Sequence, residues 1–507
     1  MLGHFRFNYQ SVRQLLVSAA LLTSPATGAK AQVDPNALAE SARQAMSERR
    51  FGEAAEIYAE LAGKFPNEPT LKANLGMALH LSARDAEAIQ PLREAARALP
   101  TSFPAHFALG ASLSRLGRYA EALAPLQESK RIEPRHSFAH VLLGEALEAV
   151  GQHSQAVEVW QALGDIDATS PFAHAGLVRC NEELTAIAID QLRQRDPESS
   201  YMLRILGRTK LAARQYPSSL YLFRSALERQ PGVRDVHEAV ALVYEGAGQP
   251  EWAAIERQKA KSLPEPDCAA TKSAECNFIA GRFDLAPSVT EDSSSADLFW
   301  AARSFAALAE QSFEKMAYLP ESIEKLTLVA DISASQGQFA RAADACRRAL
   351  ELGGGSGNLE RKLAELLYLA KRVDDARPLL ERFYHSDPDD PRWAAMLGNL
   401  LAQEQEYEEA VPLLQASLAL PGAPATARLD LGRTYLALDQ PEQALPHLKS
   451  SLGLDTDGSI HYQLAQAFQR LGMREQAREA LARYQALDAR VRQQTEAGAS
   501  MEITAPD

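Results

Sequence analysis

The sequence predicts an all-α protein, an α-α superhelical solenoid of about a dozen helix pairs arranged in two stacks. First, a period of 34 residues spaces Gly76, Gly110 and Gly144 equally along the chain. Second, apolar residues between these glycines recur at intervals of three and four, as on one face of a helix. Third, 507 residues are too many for one hydrophobic core. An extended array of small units satisfies all three observations.

Residues 1–31 differ from the repeats and predict a cleaved signal peptide. Two arginines flank the start of the segment, a short apolar run covers 15–22, and small residues lead to a predicted cleavage after Ala31. The apolar run is shorter than the roughly 20 residues that a membrane-spanning helix needs. We therefore expect an exported protein, periplasmic or secreted, with no stable membrane insertion of the mature chain. An uncleaved anchor or a disordered leader is the alternative.

Residues 33–263 form the predicted N-terminal stack. In the unit from Phe103, Gly110 and Ala122 stand where the two helices of the pair cross, and small side chains there allow close approach. Gly117 ends the first helix. The same pattern recurs along the chain, and it predicts units that begin near Pro35, Pro69, Phe103, Ser137, Ser200, Arg234, Ile323, Gly357, Pro391, Ala425 and Gly458.

The pattern weakens at two further units. The unit from Pro171 has Val178 and Asn181 at positions where a glycine and a large apolar residue are expected, so we predict a long irregular helix up to Arg195. A second weak unit is predicted at 296–321.

Residues 264–296 form a predicted irregular connector that carries Cys268 and Cys276, two of the four cysteines. Seven residues separate them, whereas zinc sites commonly pair cysteines about two to four apart and thioredoxin-like motifs use C-x-x-C. Because export would place the chain in an oxidising compartment, we expect a disulfide that closes this loop, with two free thiols as the alternative. Cys180 and Cys346 are expected to be unpaired.

Residues 297–491 form the predicted C-terminal stack, which ends in a solvent-facing capping helix rich in Arg, Gln and Ala. Residues 492–507 are predicted to be a disordered tail.

The order of residues within a unit resembles the tetratricopeptide repeat. The segment 109–126, LGASLSRLGRYAEALAPL, shows Leu-Gly, a large apolar residue three positions on, Gly-x-Tyr, Ala and a large apolar residue, and Pro134 closes the unit. This resemblance covers nearly all of the chain after residue 31. It implies that helices A, the first of each pair, line a concave groove that binds a protein or peptide.

On that resemblance, positions two, five, nine, twelve and thirteen of helix A face the groove. In the C-terminal stack these positions are polar, and they are our predicted partner-binding residues: Arg361, Tyr368, Asn399, Gln403, Arg433, Tyr462, Gln466 and Arg470. Such side chains suit an extended peptide backbone or a carboxylate. The alternative is that an exposed helix face is polar for solubility alone.

Catalytic and metal chemistry find little support in the sequence. His106, His140 and His174 stand 34 residues apart, at the same position of successive units. Neighbouring helices pack about 8–10 Å apart, so two of these histidines are too far from each other to share a metal ion without other ligands. No phosphate-binding loop, nucleophile elbow or H-E-x-x-H motif occurs. We predict no catalytic residue, no metal and no cofactor. A net charge of −13 disfavours nucleic acid as a partner.

The predicted function is therefore a non-catalytic scaffold for protein–protein interaction. A more specific alternative is an accessory subunit of a cell-envelope machine for polysaccharide export or outer-membrane assembly, and an enzyme of unknown type is a remote one.

Overall fold

The computed structural model describes residues 35–269, 273–353, 357–499 and 503–506. Within these ranges the chain forms 25 α-helices and no strand, which confirms the predicted all-α repeat fold. The chain divides into two compact units between Cys180 and Asn181. The predicted signal peptide lies outside the described residues.

The first unit consists of regular helix pairs and the start of a longer helix. Its helices are α1 (Pro35–Ser47), α2 (Phe51–Lys64), α3 (Pro69–Leu81), α4 (Asp85–Ala98), α5 (Phe103–Arg115), α6 (Tyr119–Ile132), α7 (Ser137–Ala149), α8 (His153–Ile166) and α9 (Pro171–Arg195), whose residues beyond Cys180 belong to the second unit.

The second unit begins with two helix pairs, continues through the connector and ends in the C-terminal repeats. The helices as far as the connector and the long helix after it are α10 (Ser200–Ala212), α11 (Tyr216–Arg229), α12 (Arg234–Gly246), α13 (Pro250–Ser262), α14 (Ala274–Ile279) and α15 (Ser295–Tyr318). The repeats that follow are α16 (Ile323–Ser335), α17 (Phe339–Glu351), α18 (Gly357–Leu369), α19 (Val373–Ser386), α20 (Pro391–Gln403), α21 (Tyr407–Ala419), α22 (Ala425–Ala437), α23 (Pro441–Ser450), α24 (Ser459–Arg470) and α25 (Arg474–Ala499).

Local sequence explains where these helices begin and end. In ten of the eleven regular units helix A starts at the predicted residue, and the last starts at Ser459, one residue later. Pro69 and Pro391 occupy first helical positions, where a missing N–H does no harm. Gly117 follows α5 with φ +72°, a left-handed conformation that glycine adopts without steric penalty.

The helix crossings within each pair depend on small residues, as the sequence predicts. A Cβ atom on Gly110 would stand 2.5 Å from the side chain of Leu126, which is fully buried. A Cβ atom on Gly398 would stand 2.8 Å from Leu414 in the same way. Both units therefore use one packing rule, in which a large residue of helix B fills the space over a glycine of helix A.

The structure differs from the predicted organisation at four places. The weak unit at 296–321 is one helix of 24 residues, α15, because no Gly or Pro interrupts its sequence. The two compact units meet within α9, and the connector 264–296 lies inside the second unit. Helix α25 continues to Ala499, past the predicted end of the C-terminal stack. In the predicted disordered tail, residues 503–506 contact folded helices.

No helix among the described residues combines the length and the apolar character that crossing a bilayer requires.

Candidate partner-binding groove

The predicted partner-binding residues lie on four successive helices A, namely α18, α20, α22 and α24. The opposite face of each helix is anchored by a leucine that is at most 7% exposed: Leu363, Leu397, Leu431 and Leu464. These buried leucines fix the rotation of the helices, since turning any of them would expose its apolar face. Position nine is thereby turned away from the core at Asn399 and Arg433, whereas Tyr368 at position twelve still packs against the apolar cluster of its unit.

Three of the predicted residues meet in one hydrogen-bonded cluster. The hydroxyl of Tyr368 on α18 donates to Oδ1 of Asn399 on α20 at 2.9 Å. The side-chain amide of Gln403, one turn further along α20, donates to the same oxygen. A cavity of about 160 Å³ opens beside them, lined by Tyr368, Leu369, Lys371, Val373, Leu400 and Gln403. The cluster thus joins neighbouring repeats next to an open space.

A fourth member of this cluster, Asp430 on α22, was not predicted. Burial raises the pKa of the Asp430 carboxyl above its usual range, although a hydrogen bond with Asn399 and the charge of Arg433 oppose the rise. Burial, with a smaller contribution from the charge of Asp430, raises the pKa of Tyr368 to about 12. We call Tyr368, Asn399, Gln403 and Asp430 the groove cluster. The available signal is a lone acid between Leu429 and Leu431, one residue after the fifth position of helix A.

A second half-buried carboxylate lies one turn before Tyr368 on α18. Burial raises the pKa of Glu365, opposed by the charge of Arg392, whose guanidinium donates to Glu365 at 3.0 Å. The groove therefore holds two acidic side chains whose charged forms are incompletely solvated, of which Glu365 is already paired with Arg392.

The remaining predicted residues lie outside the groove cluster. Arg361 pairs with Asp387 at 3.1 Å, and Arg433 is exposed and donates to Gln463 at 3.3 Å. The ring of Tyr462 is 45% exposed and lies 5.2 Å from the ring of Tyr484 on α25.

Gln466 lies half-buried on α24, and Arg470 ends that helix. The Arg470 guanidinium donates to the Leu436 carbonyl at 2.6 Å and to Asp439 at 3.0 Å.

The first unit carries a corresponding polar group that is buried. Nδ1 of His80 lies 2.7 Å from Asp85 Oδ1 and 2.9 Å from the Ser112 hydroxyl, and Arg115 donates to the His80 carbonyl and to Asp85 at 2.9 and 2.8 Å. Asp85 is 4% exposed and Ser112 is fully buried. Because serine and aspartate contact the same ring nitrogen, this set lacks the relay through both nitrogens that a nucleophilic serine uses.

A second buried group in the first unit surrounds Trp160. Its indole N–H donates to Glu148 at 2.7 Å, and Arg179 donates to both oxygens of that carboxylate at 2.8 and 3.0 Å. Burial raises the pKa of nearby Glu145 to about 8, with a further rise from Glu148 and an opposing effect of Arg179. These polar groups of the first unit are therefore tied to one another across repeats.

The two connector cysteines are close together. The sulfur atoms of Cys268 and Cys276 lie at disulfide-bonding distance, with Cα atoms 5.3 Å apart. Aromatic contacts hold the same segment, since the Phe278 ring lies 5.3 Å from the Trp300 ring on α15 and the Arg303 guanidinium stands 4.1 Å above Phe278. The geometry permits the predicted disulfide, whose presence in the protein stays a prediction.

Close to the connector, three arginines share one carboxylate. Asp235 on α12 contacts Arg204 at 2.7 Å, Arg208 at 3.2 Å and Arg303 at 3.1 Å. The Arg204 guanidinium also lies 4.0 Å from the Phe299 ring centroid. These contacts tie α10, α12 and α15 together.

Potential metal ligands do not assemble within the described ranges, and the two unpaired cysteines are buried. No group of three His, Cys, Asp or Glu side chains could hold a metal ion there. Cys180 and Cys346 are buried, and burial raises the pKa of both thiols, to about 11 for Cys346, so the reactive thiolate is disfavoured.

Comparison with protein families agrees with this architecture. Family models described as tetratricopeptide repeat match residues 40–103, 104–128, 333–400, 425–449 and 461–488, in both compact units. The chain is a tetratricopeptide repeat protein. No curated protein matches its sequence.

Several solved structures are similar to this chain at low identity. A chain of the APC/C hetero-tetramer Cut9–Hcn1 is 15% identical, with a TM-score of 0.31 over 90% of this chain and 94% of that chain. A tetratricopeptide repeat protein from Parabacteroides merdae is 14% identical, with a TM-score of 0.29 over 66% and 98%. MamA from Desulfovibrio magneticus is 15% identical, with a TM-score of 0.26 over 48% and 99%.

Proposed function

We propose that this tetratricopeptide repeat protein is a non-catalytic scaffold that binds a basic segment of a partner protein along helices α18, α20 and α22. The observation that carries the proposal is the half-buried Asp430 carboxyl, whose pKa is raised beside Asn399 and Tyr368. A lysine or arginine of the partner would stabilise the charged Asp430 carboxylate in place of the water contacts that burial removes. The adjoining amide and hydroxyl groups suit the main chain of an extended segment.

The charge of the surroundings supports a basic ligand. Glu365 lies on the same face of α18 as Tyr368, and burial raises its pKa as well. The whole chain carries a net charge of −13, which favours encounter with basic segments. Ligand recognition would then combine one charged contact with main-chain hydrogen bonds, so a short stretch of partner would suffice.

The test uses a random peptide library displayed on phage and panned against the full chain. We expect the selected peptides to be enriched in Lys and Arg, and we expect Asp430→Asn to weaken their binding about tenfold or more, the loss of one charge-assisted contact. Asp344→Asn is the matched control, because Asp344 is an exposed acid on helix α17 and pairs with Arg372.

Two results would contradict the proposal. One is a set of selected peptides without basic residues. The other is equal weakening by Asp430→Asn and Asp344→Asn, which would indicate a general charge effect in place of a site.

A further inference from the structure

The last described residues of the chain, 503–506, lie against the helices of an earlier repeat. Ile503 packs on an apolar cluster that contains Leu220 and Phe223 of α11 and Val236 of α12. Helix α25, which precedes this segment, also contacts α11, and both belong to the second compact unit. The segment has no regular secondary structure, so its position depends on these side-chain contacts.

Two side chains of that repeat bind the segment through its main chain. The Arg224 guanidinium donates to the carbonyls of Thr504 and Ala505 at 3.1 and 2.8 Å, and also to the Thr504 hydroxyl. The Tyr244 hydroxyl donates to the Thr504 carbonyl at 2.8 Å. Three of these four hydrogen bonds go to main-chain oxygens, which any peptide in the same conformation would present.

The binding side chains are held in place by the repeat itself. The Arg224 guanidinium donates to the Tyr244 oxygen at 3.1 Å, and the Tyr244 ring is buried and lies 5.6 Å from the ring of Trp252. Little freedom remains for these groups to lose when a ligand binds, which is the condition for tight recognition. We call the surface formed by Leu220, Phe223, Arg224 and Tyr244 the tail site.

We propose that the tail site is a second peptide-docking surface, which takes a partner segment with a branched apolar residue followed by threonine. The chain's own residues 503–506 occupy it in the absence of that partner. Selectivity would come from the Ile503 side chain and the Thr504 hydroxyl, and affinity from the carbonyl contacts. The proposal does not rest on the function proposed above, because the tail site shares no residue with the groove cluster.

Tethering decides how the two ligands compete. A segment attached to the same chain acts at an effective concentration of roughly millimolar, so a free peptide of equal intrinsic affinity is largely excluded. A partner would therefore bind only when its contacts exceed those of the tail, or when the tail is displaced. The chain thus limits access to its own surface.

The experiment measures binding of a fluorescently labelled peptide with the sequence of residues 500–507 to the full chain. In the variant Ile503→Asp, an acid replaces the apolar anchor of the tail, so the tail site becomes accessible. We expect this variant to bind the peptide at least about tenfold more tightly than the unaltered chain, by relief of tethered competition. Adding Arg224→Ala to Ile503→Asp should abolish the gain.

Matched controls separate recognition from general effects. Arg229→Ala removes a second arginine of α11 whose side chain pairs with Glu198, and it should leave peptide binding to the Ile503→Asp chain unchanged. A labelled peptide with the same Ile503→Asp change should not bind. Circular dichroism would verify that each variant retains its helices.

Two outcomes would overturn the proposal. If the Ile503→Asp chain binds the peptide no more tightly than the unaltered chain, the tail does not occlude a binding site. If the unaltered chain is a dimer in sedimentation and Ile503→Asp makes it monomeric, the occupant of the tail site is the tail of a second copy.

Discussion

Two arginines at the same position of their repeats show how the units differ. Arg115 ends α5 and donates to the carbonyl of His80 and to Asp85, whereas Arg470 ends α24 and donates to the carbonyl of Leu436 and to Asp439. Each arginine thus binds one carbonyl and one carboxylate of the preceding repeat. Asp85, however, is 4% exposed, and the Asp439 side chain is 83% exposed.

The difference in burial decides what each bridge can do. The buried bridge of the first unit is joined by His80 and Ser112, so its polar atoms are engaged with one another. A buried carboxylate stripped of its partners loses far more free energy than an exposed one. We infer that the buried bridge stabilises the repeats of the first unit, and we propose that the groove cluster of the second unit serves binding.

The largest expected effect is on the stability of the first unit. Asp85→Ala should lower its free energy of unfolding by about 3 kcal/mol, because buried His80 and the Arg115 guanidinium lose their carboxylate partner. Asp439→Ala, the matched change in the exposed bridge, should lower the stability of the second unit by less than about 0.5 kcal/mol. Urea titration in a chain whose Trp252, Trp300 and Trp393 are replaced by phenylalanine reports the first unit, because Trp160 is then the only tryptophan.

Low pH should reproduce the effect of losing Asp85. Hydrogen bonding to His80 and the charges of His80 and Arg115 lower the pKa of Asp85 against the raising effect of burial, and burial lowers that of His80. Both groups take up protons more readily when unfolded, so stability falls as pH drops below about 6.5 and falls further below about 4. A Trp160-reported stability that did not change with acidification would contradict the buried bridge.

The connector should supply the second unit with a covalent tie that the first unit lacks. Replacing Cys268 and Cys276 together by serine should lower the stability of the second unit by about 2 kcal/mol, if the predicted disulfide closes this loop. Mass spectrometry after alkylation should find two of the four thiols blocked in non-reduced protein. Four reactive thiols in unfolded, non-reduced protein from an oxidising compartment would contradict the disulfide.

A pH-dependent effect on stability is expected at Glu145 in the first unit. Its pKa is raised to about 8, mainly by burial, so the protonated acid favours folding and this contribution is lost as pH rises through about 8. Glu145→Gln should therefore match the unaltered chain near pH 5 and become more stable than it at pH 9. The check is the urea midpoint of each of the two proteins at pH 5 and at pH 9. If the midpoints of the two proteins differ by the same amount at both pH values, a buried acid at this position is excluded.

The sequence predicts the repeats better than it predicts their side-chain contacts. Helix starts follow from local signals such as Pro69 and Gly117, which act within one turn of chain. Asp430 was missed because its burial depends on α20, a helix in the preceding repeat. The docking of Ile503 was missed for a stronger reason, since α11 lies more than 270 residues earlier in the chain.

The long helix α15, in contrast, could have been predicted from local sequence. The repeat pattern predicts a weak unit at 296–321. The absence of glycine and proline from Ser295 to Tyr318 was the stronger signal, and it predicts one continuous helix.

The most direct test of the proposed division of roles compares Asp85→Asn with Asp430→Asn in two assays, urea unfolding and binding of a peptide selected on the unaltered chain. We expect Asp85→Asn to lower stability and to keep peptide binding. Asp430→Asn should weaken binding about tenfold and keep or increase stability at neutral pH, because the raised pKa of Asp430 means that its charged form opposes folding. Loss of stability in both variants, or loss of binding in both, would contradict the division.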